Sequence, residues 1–146
     1  MLAVMNTDTP APPIETATDP VHCPEDLRQR WLALMSPLGF GGHTLWMAFL
    51  GADRVLHKVL TPLPARTRRD RQLIADVVAQ LPELLAGEPG TTVAFLLARP
   101  GGGAVTDTDR RWAALLTDTA AANGVPLEPF FRAHDESLVH VEPAVS

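Results

Sequence analysis

Three sets of side chains in this sequence have types and spacings that could do chemistry. The first lies in Thr92 to Asp109, TVAFLLARPGGGAVTDTD, where Arg99, Gly101, Gly102, Thr106 and Asp109 come after an unbroken apolar run. Gly101, Gly102 and Gly103 permit a turn too tight for residues carrying a Cβ, and Thr106 to Asp109 reads as the start of a helix. A helix N-terminus offers free amides to a phosphate. GGGAVT is nevertheless neither a Gly-x-Gly-x-x-Gly fingerprint nor a P-loop, and Asp107 and Asp109 put negative charge where the anion would sit. The stretch holds no nucleophile and no histidine, so no catalytic residue is assigned. The favoured reading is a capping box, in which the Thr106 hydroxyl accepts from the amide of residue 109 and the Asp109 carboxylate reaches back.

The second set is the histidines, His22, His43, His57, His134 and His140. No pair has His-x-His or His-x-x-x-His spacing. His43 and His57 could face one another across a hairpin, but ordinary imidazoles tuned by their neighbours are favoured over a metal site. The third set is Arg66, Arg68, Arg69 and Arg71, the one concentrated basic run, placed before or within the first turn of a helix. Positive charge there opposes the helix dipole by about 0.3–1 kcal/mol per residue. That cost makes contact with an acidic partner more attractive than for a typical surface cluster, although a solvated connector is the simpler reading. No aromatic interleaves these arginines, so stacking on single-stranded bases lacks its platform.

The elements that must position these groups can be read from periodicity and punctuation. Residues 1–20 are rich in Pro, Thr, Ala and Asp, with Pro10, Pro12, Pro13 and Pro20 spaced against helix or central strand. They read as a disordered tail, and residues 21–146 as a single domain. Pro24, Glu25 and Asp26 suit the first turn of a helix, which carries Leu27, Trp31 and Leu34 at helical spacing and ends near Ser36-Pro37. Thr44 to Leu50 and Arg54 to Leu60 read as two strands of a hairpin joined at Gly51-Ala52-Asp53. The first is covered on both faces and the second lies nearer an edge.

A polar connector from Pro62 to Arg69 leads to a helix whose stripe is Leu73, Ile74, Val77, Val78, Leu81 and Leu84, with Pro82 set to kink or end it. Val93 to Leu97 is apolar without alternation, as expected of a strand buried on both faces. The next helix turns Trp112, Leu115, Leu116 and Ala120 inward and stops at Asn123-Gly124. Two short strands, near Val125 to Phe131 and Leu138 to Val141, close the chain around a turn at His134-Asp135-Glu136. Pro126 and Pro129 confine the first of them to an edge. Trp31, Trp46 and Trp112 sit in apolar stripes and read as core.

Composition bounds the function. A chain of 146 residues with 46% apolar content supports one domain with one core. A formal charge of −5 argues against a general nucleic-acid or anionic-membrane binder, so direct nucleic-acid binding is disfavoured. Cys23 is the only cysteine, which rules out an internal disulfide and a four-thiolate metal site within one chain. With no secretory signal in MLAVM and no apolar run near the ~20 residues of a membrane span, a cytoplasmic protein is expected.

The order of helix, hairpin, helix, buried strand, glycine turn, helix and strand pair resembles the JAB/MPN metalloprotease fold, most closely its bacterial RadC-like branch. The strings that carry the resemblance span roughly residues 22–141. Pro24-Glu25-Asp26-Leu27 looks like the start of that domain, and Leu45 to Leu50 with Gly51-Ala52-Asp53-Arg54-Val55 like its first hairpin. Leu97-Ala98-Arg99-Pro100-Gly101-Gly102, then Thr106 to Asp109, resembles the metal loop of the family, a His-x-His-Pro turn leading to an aspartate that begins a helix. Gly124-Val125-Pro126-Leu127 looks like the exit from that helix.

The resemblance implies an α/β (α+β) fold: a mixed central sheet with an N-terminal hairpin, flanked by about three helices, in a JAB/MPN-like (cytidine-deaminase-like) architecture. It also implies that the catalytic apparatus is lost. Leu97 and Arg99 stand where the two histidine ligands would fall, the loop to the acid is one residue shorter, and Gly42, beside His43, stands where the general-base glutamate would fall. One carboxylate, Asp109, cannot hold a zinc ion or depress the pKa of its water toward ~7. The expectation is therefore a binding or regulatory module without cofactor or metal. Its partner is an unidentified protein or a second copy of the chain, and its contact surface is the cleft around Arg99, Gly101, Gly102, Thr106 and Asp109. The alternatives are a metal-dependent hydrolase with rearranged ligands, or an accessory protein in DNA repair.

Overall fold

The structure, a computed structural model, describes residues 14–35, 43–57, 60–99, 105–133 and 138–142. Among these the order is α1 (Pro24–Met35), β1 (Thr44–Leu50), β2 (Thr61–Pro64), α2 (Arg68–Leu85), β3 (Thr92–Ala98), α3 (Asp107–Asn123), β4 (Phe131–Ala133) and β5 (Leu138–His140). The strands form one mixed sheet in the order β2-β1-β3-β4-β5. Five strands and three helices make the expected α+β class.

β3 is the axis of the sheet, and its sequence explains why. Side chains of a strand alternate between faces, so Val93, Phe95 and Leu97 enter one core while Ala94, Leu96 and Ala98 enter the other. Both faces are covered, hence the run of apolar residues with no polar alternation. β1 is paired antiparallel along the whole of β3, from Thr44 opposite Ala98 to Leu50 opposite Thr92, and divides its side chains in the same way. The larger core is closed by α2 and α3 through Ile74, Val78, Leu81, Trp112, Ala113, Leu116 and Ala120. The other is closed by α1 through Leu27 and Trp31, both fully buried. There the sheet presents Ala48, Ala94 and Ala98, small side chains that leave volume for the Trp31 indole. Full burial of such a side chain stabilises by about 1.5–3 kcal/mol.

β3 and β4 run parallel, with Leu97 opposite Arg132. A parallel pair needs a crossover, and α3 supplies it. The helix starts on the capping box at Thr106 and stops at Gly124, whose φ of 68° is the left-handed conformation that glycine adopts without steric cost. α2 starts on a second capping box, Thr67 with Asp70. Pro82 falls near its C-terminal end and the helix continues to Leu85.

Four expectations need correction. The second hairpin strand is not 54–60. Leu56 makes a single bridge to Leu50, and the ladder on β1 is formed by Thr61–Pro64, from Met47 opposite Thr61 to Thr44 opposite Pro64. Prolines argue against a central strand, but β2 is the sheet edge and Pro62 and Pro64 are exposed there. Residues 125–130 are not an edge strand; β4 begins after Pro129 and lies inside the sheet, between β3 and β5. The stripe on α2 is wider than the face it buries, because Leu73 and Leu84 are exposed. Finally, Ile14–Thr18 forms a 3-10 turn with Ala17 buried, although this stretch reads as tail in the sequence. Residues 1–13 and the expected turn at His134-Asp135-Glu136 lie outside the described residues. No helix among the described residues is long and apolar enough to cross a membrane.

Candidate functional site

Strand alternation builds the centre of the site. Leu97 and Arg99 share the parity that faces α2 and α3. On β4, Phe131 and Ala133 enter the α1-side core, which leaves Arg132 on the α3 side, beside Leu97. The capping box brings Asp109, the third residue of α3, to the same place. The Arg99 guanidinium donates to both oxygens of Asp109, at 2.7 and 3.0 Å, and to the Thr106 hydroxyl at 3.2 Å. The Thr106 amide donates to Asp109 at 2.9 Å, and the Asp109 amide donates to the Thr106 hydroxyl at 3.2 Å. Arg132 Nη1 stands 3.6 Å from the same carboxylate, and both side chains are fully buried.

The electrostatics are set by these contacts. Burial pushes the Asp109 carboxyl up. The hydrogen bonds from Arg99 and the Thr106 amide, with the charges of Arg99 and Arg132, outweigh it and hold the group below the usual aspartate value. The same carboxylate holds the Arg99 guanidinium above its usual value. Among the described residues, Arg99 and Arg132 set two positive charges against this one carboxylate.

That charge opens onto solvent through a cleft of about 310 Å³ lined by His43, Ala65, Arg66, Leu97, Arg99, Thr106, Thr108 and Trp112. Beside it a second hollow of about 190 Å³ is lined by Arg66, Thr67, Arg68, Arg71, Thr108, Arg111 and Trp112. Arg66, Thr108 and Trp112 border both, so the two make one continuous trough between the start of α2 and the start of α3. Among the described residues no carboxylate lines either part.

With known proteins the chain shares no match: no family model, no curated protein and no solved structure.

The trough joins two sets of residues that the sequence keeps apart. Arg99 and Thr106 line it together with Arg66, Arg68 and Arg71, and Asp109 is held beneath by Arg99. Arg69 is exposed and lines neither part. Gly101 and Gly102 lie outside the described residues. Sequence reasoning missed Arg111 and Arg132 as members of the site, and placed His43 there only through the resemblance. The signal for Arg132 is a lone cation in the apolar run Phe130-Phe131-Arg132-Ala133, since a buried charge there requires a buried acid opposite. Arg111 sits one helical turn after Asp107 with its side chain toward α2, a relation across helices that spacing within one helix does not reveal.

Among the described residues the histidines do not gather; His134 lies outside them. His43 precedes β1 at one end, while His57 donates its amide to Phe49 at the other, so they do not face across a hairpin. His140 packs on Phe131 with ring centroids 5.6 Å apart. Among the described residues no three His, Cys, Asp or Glu side chains stand close enough to share a metal ion.

A second polar node lies at the far end of β3. The Arg54 guanidinium donates to both oxygens of Glu128 at 3.0 and 3.1 Å and to the Val21 carbonyl at 2.8 Å, while Thr92 donates its hydroxyl to Glu128 at 2.8 Å. Arg54 has φ of 66°, a left-handed backbone that is costly for a side-chain-bearing residue. The node ties three loops together and offers no open ligand position.

Proposed function

We propose that the chain is a non-catalytic JAB/MPN-like module, of the RadC-like kind, that binds an acidic partner in the trough between α2 and α3. The observation that carries this reading is the state of Asp109. On the resemblance it is the one surviving metal ligand of the family, yet here its oxygens accept from Arg99 and Thr106 and face Arg132. A carboxylate so engaged has little left to offer a cation, and two adjacent guanidiniums repel one. Leu97, Arg99 and His43 all border the trough, and on the resemblance they stand at or beside the lost ligands and base. The order of elements, α1 β1 β2 α2 β3 α3 β4 β5, is also the order on which the resemblance rests.

Arginine suits the role because its planar fork pairs with carboxylates or phosphates bidentately. The module works in the cytoplasm as a regulatory or scaffolding part, on a protein partner or a second copy of the chain. The test is retention of the purified full chain on immobilised poly-L-glutamate at fixed ionic strength. Retention that disappears with Arg68→Glu/Arg71→Glu supports the reading. Retention that is absent, or unchanged by that charge reversal, defeats it.

A further inference from the structure

Arg66, Arg68, Arg71 and Arg111 differ in one respect from five other arginines of this chain. Arg28, Arg54, Arg99, Arg110 and Arg132 each stand within salt-bridge distance of a carboxylate. Among the described residues, the four that ring the 190 Å³ hollow make no side-chain hydrogen bond and no salt bridge, and all four are exposed. The acids nearest in sequence are committed elsewhere. Asp70 accepts from the amides of Arg66 and Thr67 at 2.8 and 3.0 Å, and Asp107 pairs with Arg110.

This is a costly arrangement in a chain with 17 acids and 12 bases. Four like charges converge on one small hollow, and Arg68 and Arg71 lie in the first turn of a helix of 18 residues, where the dipole is itself positive. Asp70 feels the charge of Arg66, but among the described residues no carboxylate stands within salt-bridge distance of any of the four.

We infer that this hollow is a receptor for a phosphate monoester dianion. The inference deepens the reading of the trough as an acidic-ligand site and rests on it. A carboxylate brings one charge and two oxygens, too little for four guanidiniums. A phosphate monoester brings a charge of about −1.5 to −2 and three oxygens, and paired N–H donors of arginine match adjacent phosphate oxygens. The Thr108 hydroxyl on the rim is a further donor. The ester body would extend into the adjoining 310 Å³ cleft, whose wall includes Ala65 and Leu97. A polynucleotide is a poorer occupant, because each of its phosphodiesters carries a single charge and Trp112, 6% exposed, presents no face for a base to stack on.

The experiment is isothermal titration of the full chain, at constant ionic strength set with chloride, with four probes. These are phenyl phosphate, a neutral ten-residue peptide carrying one phosphoserine, the same peptide with glutamate in that place, and a short DNA duplex. The expected result is saturable binding of one phosphate-bearing probe per chain, at least about tenfold tighter than the glutamate peptide. It should weaken by at least about tenfold in Arg68→Ala/Arg71→Ala, two exposed residues whose loss leaves the melting curve unchanged. Phenyl phosphate binding as well as the phosphopeptide points to a small ester; phosphopeptide binding much more tightly points to a modified side chain of a partner.

Glutamate and phosphoserine peptides binding equally well would overturn the phosphate inference and leave the acidic-partner reading standing. If no probe binds, or the double variant binds all of them unchanged, both fall. Duplex DNA binding more tightly than either phosphate probe would also overturn the inference.

Discussion

Asp109 on α3 and Arg132 on β4 stand 3.6 Å apart, each fully buried, and Arg99, itself partly exposed, closes the carboxylate through two hydrogen bonds. The pair bridges the two ends of the β3-α3-β4 crossover. The carboxylate that caps the helix also neutralises an arginine held inside the sheet. One side chain thus links local helix initiation to the tertiary placement of β4, and substitutions there should act on the whole fold.

Asp109→Asn should destabilise the chain by about 3–5 kcal/mol, because it removes a fully buried charge that Arg99 and Arg132 both face. Arg99→Ala should cost less, since Arg132 still faces the carboxylate and water reaches the vacated side. Urea denaturation monitored by circular dichroism checks the order. Equal effects of the two substitutions would show that the Arg132 contact contributes nothing.

Acid should unfold the protein chiefly through the two depressed carboxylates that are withdrawn from solvent. Asp109 and Glu128 have folded-state pKa values below their ordinary 3.8 and 4.5, despite burial, because arginines and hydrogen-bond donors hold them ionised. A depressed carboxylate contributes stability that is fully present above its ordinary value and is lost as pH falls through the folded value. Stability should therefore be flat with respect to these groups near neutrality and decline below about pH 4. The gap between the parent chain and Asp109→Asn should narrow over the same range. A gap that stays constant from about pH 7 to about pH 2 would contradict the assignment.

Gly90→Ala should be worse tolerated than Gly124→Ala. Both glycines have positive φ, at 85° and 68°, and a left-handed alanine costs about 1–2 kcal/mol. At Gly124 an added Cβ meets nothing within 4 Å, whereas at Gly90 it would lie 2.8 Å from the Ala52 Cβ. Thermal melts of the two variants give the comparison, with the larger drop predicted for Gly90→Ala.

Arg54→Ala should loosen the junction of Val21, Gly51 to Val55 and Glu128. The Arg54 side chain is 35% exposed and Glu128 12%, so solvent screening limits the loss to about 1–2 kcal/mol. Amide exchange at Val21 and Val93 should accelerate, since Val21 donates to the Arg54 carbonyl and Val93 to the Pro126 carbonyl nearby. Unchanged exchange would show that backbone pairing alone holds the node.

Much of this fold is written locally. The Pro24-Glu25-Asp26 start, the Thr106 and Asp109 capping box, the Gly124 stop and the doubly buried β3 each depend on a few adjacent residues, and the structure has all of them. What the sequence hides is set at a distance. The choice of Thr61–Pro64 over 54–60 as the second strand depends on which segment reaches β1 as an edge, and two prolines are harmless only there. The interior position of β4 depends on the crossover that α3 provides, so Pro126 and Pro129 mislead when read alone. The same limit applies to the site. Arg66, Arg68 and Arg71 are visible as a run, but Arg111 and Arg99 join them only when α2 and α3 pack side by side.

Zinc content decides most directly whether the Asp109 carboxylate is spent on arginines or is available to a metal ion. The full chain, purified without chelator and dialysed against zinc-free buffer, should carry zinc far below one equivalent, with the same value in Asp109→Asn. One tightly held zinc per chain, lost in Asp109→Asn, would contradict the non-catalytic reading and restore a metal-dependent hydrolase.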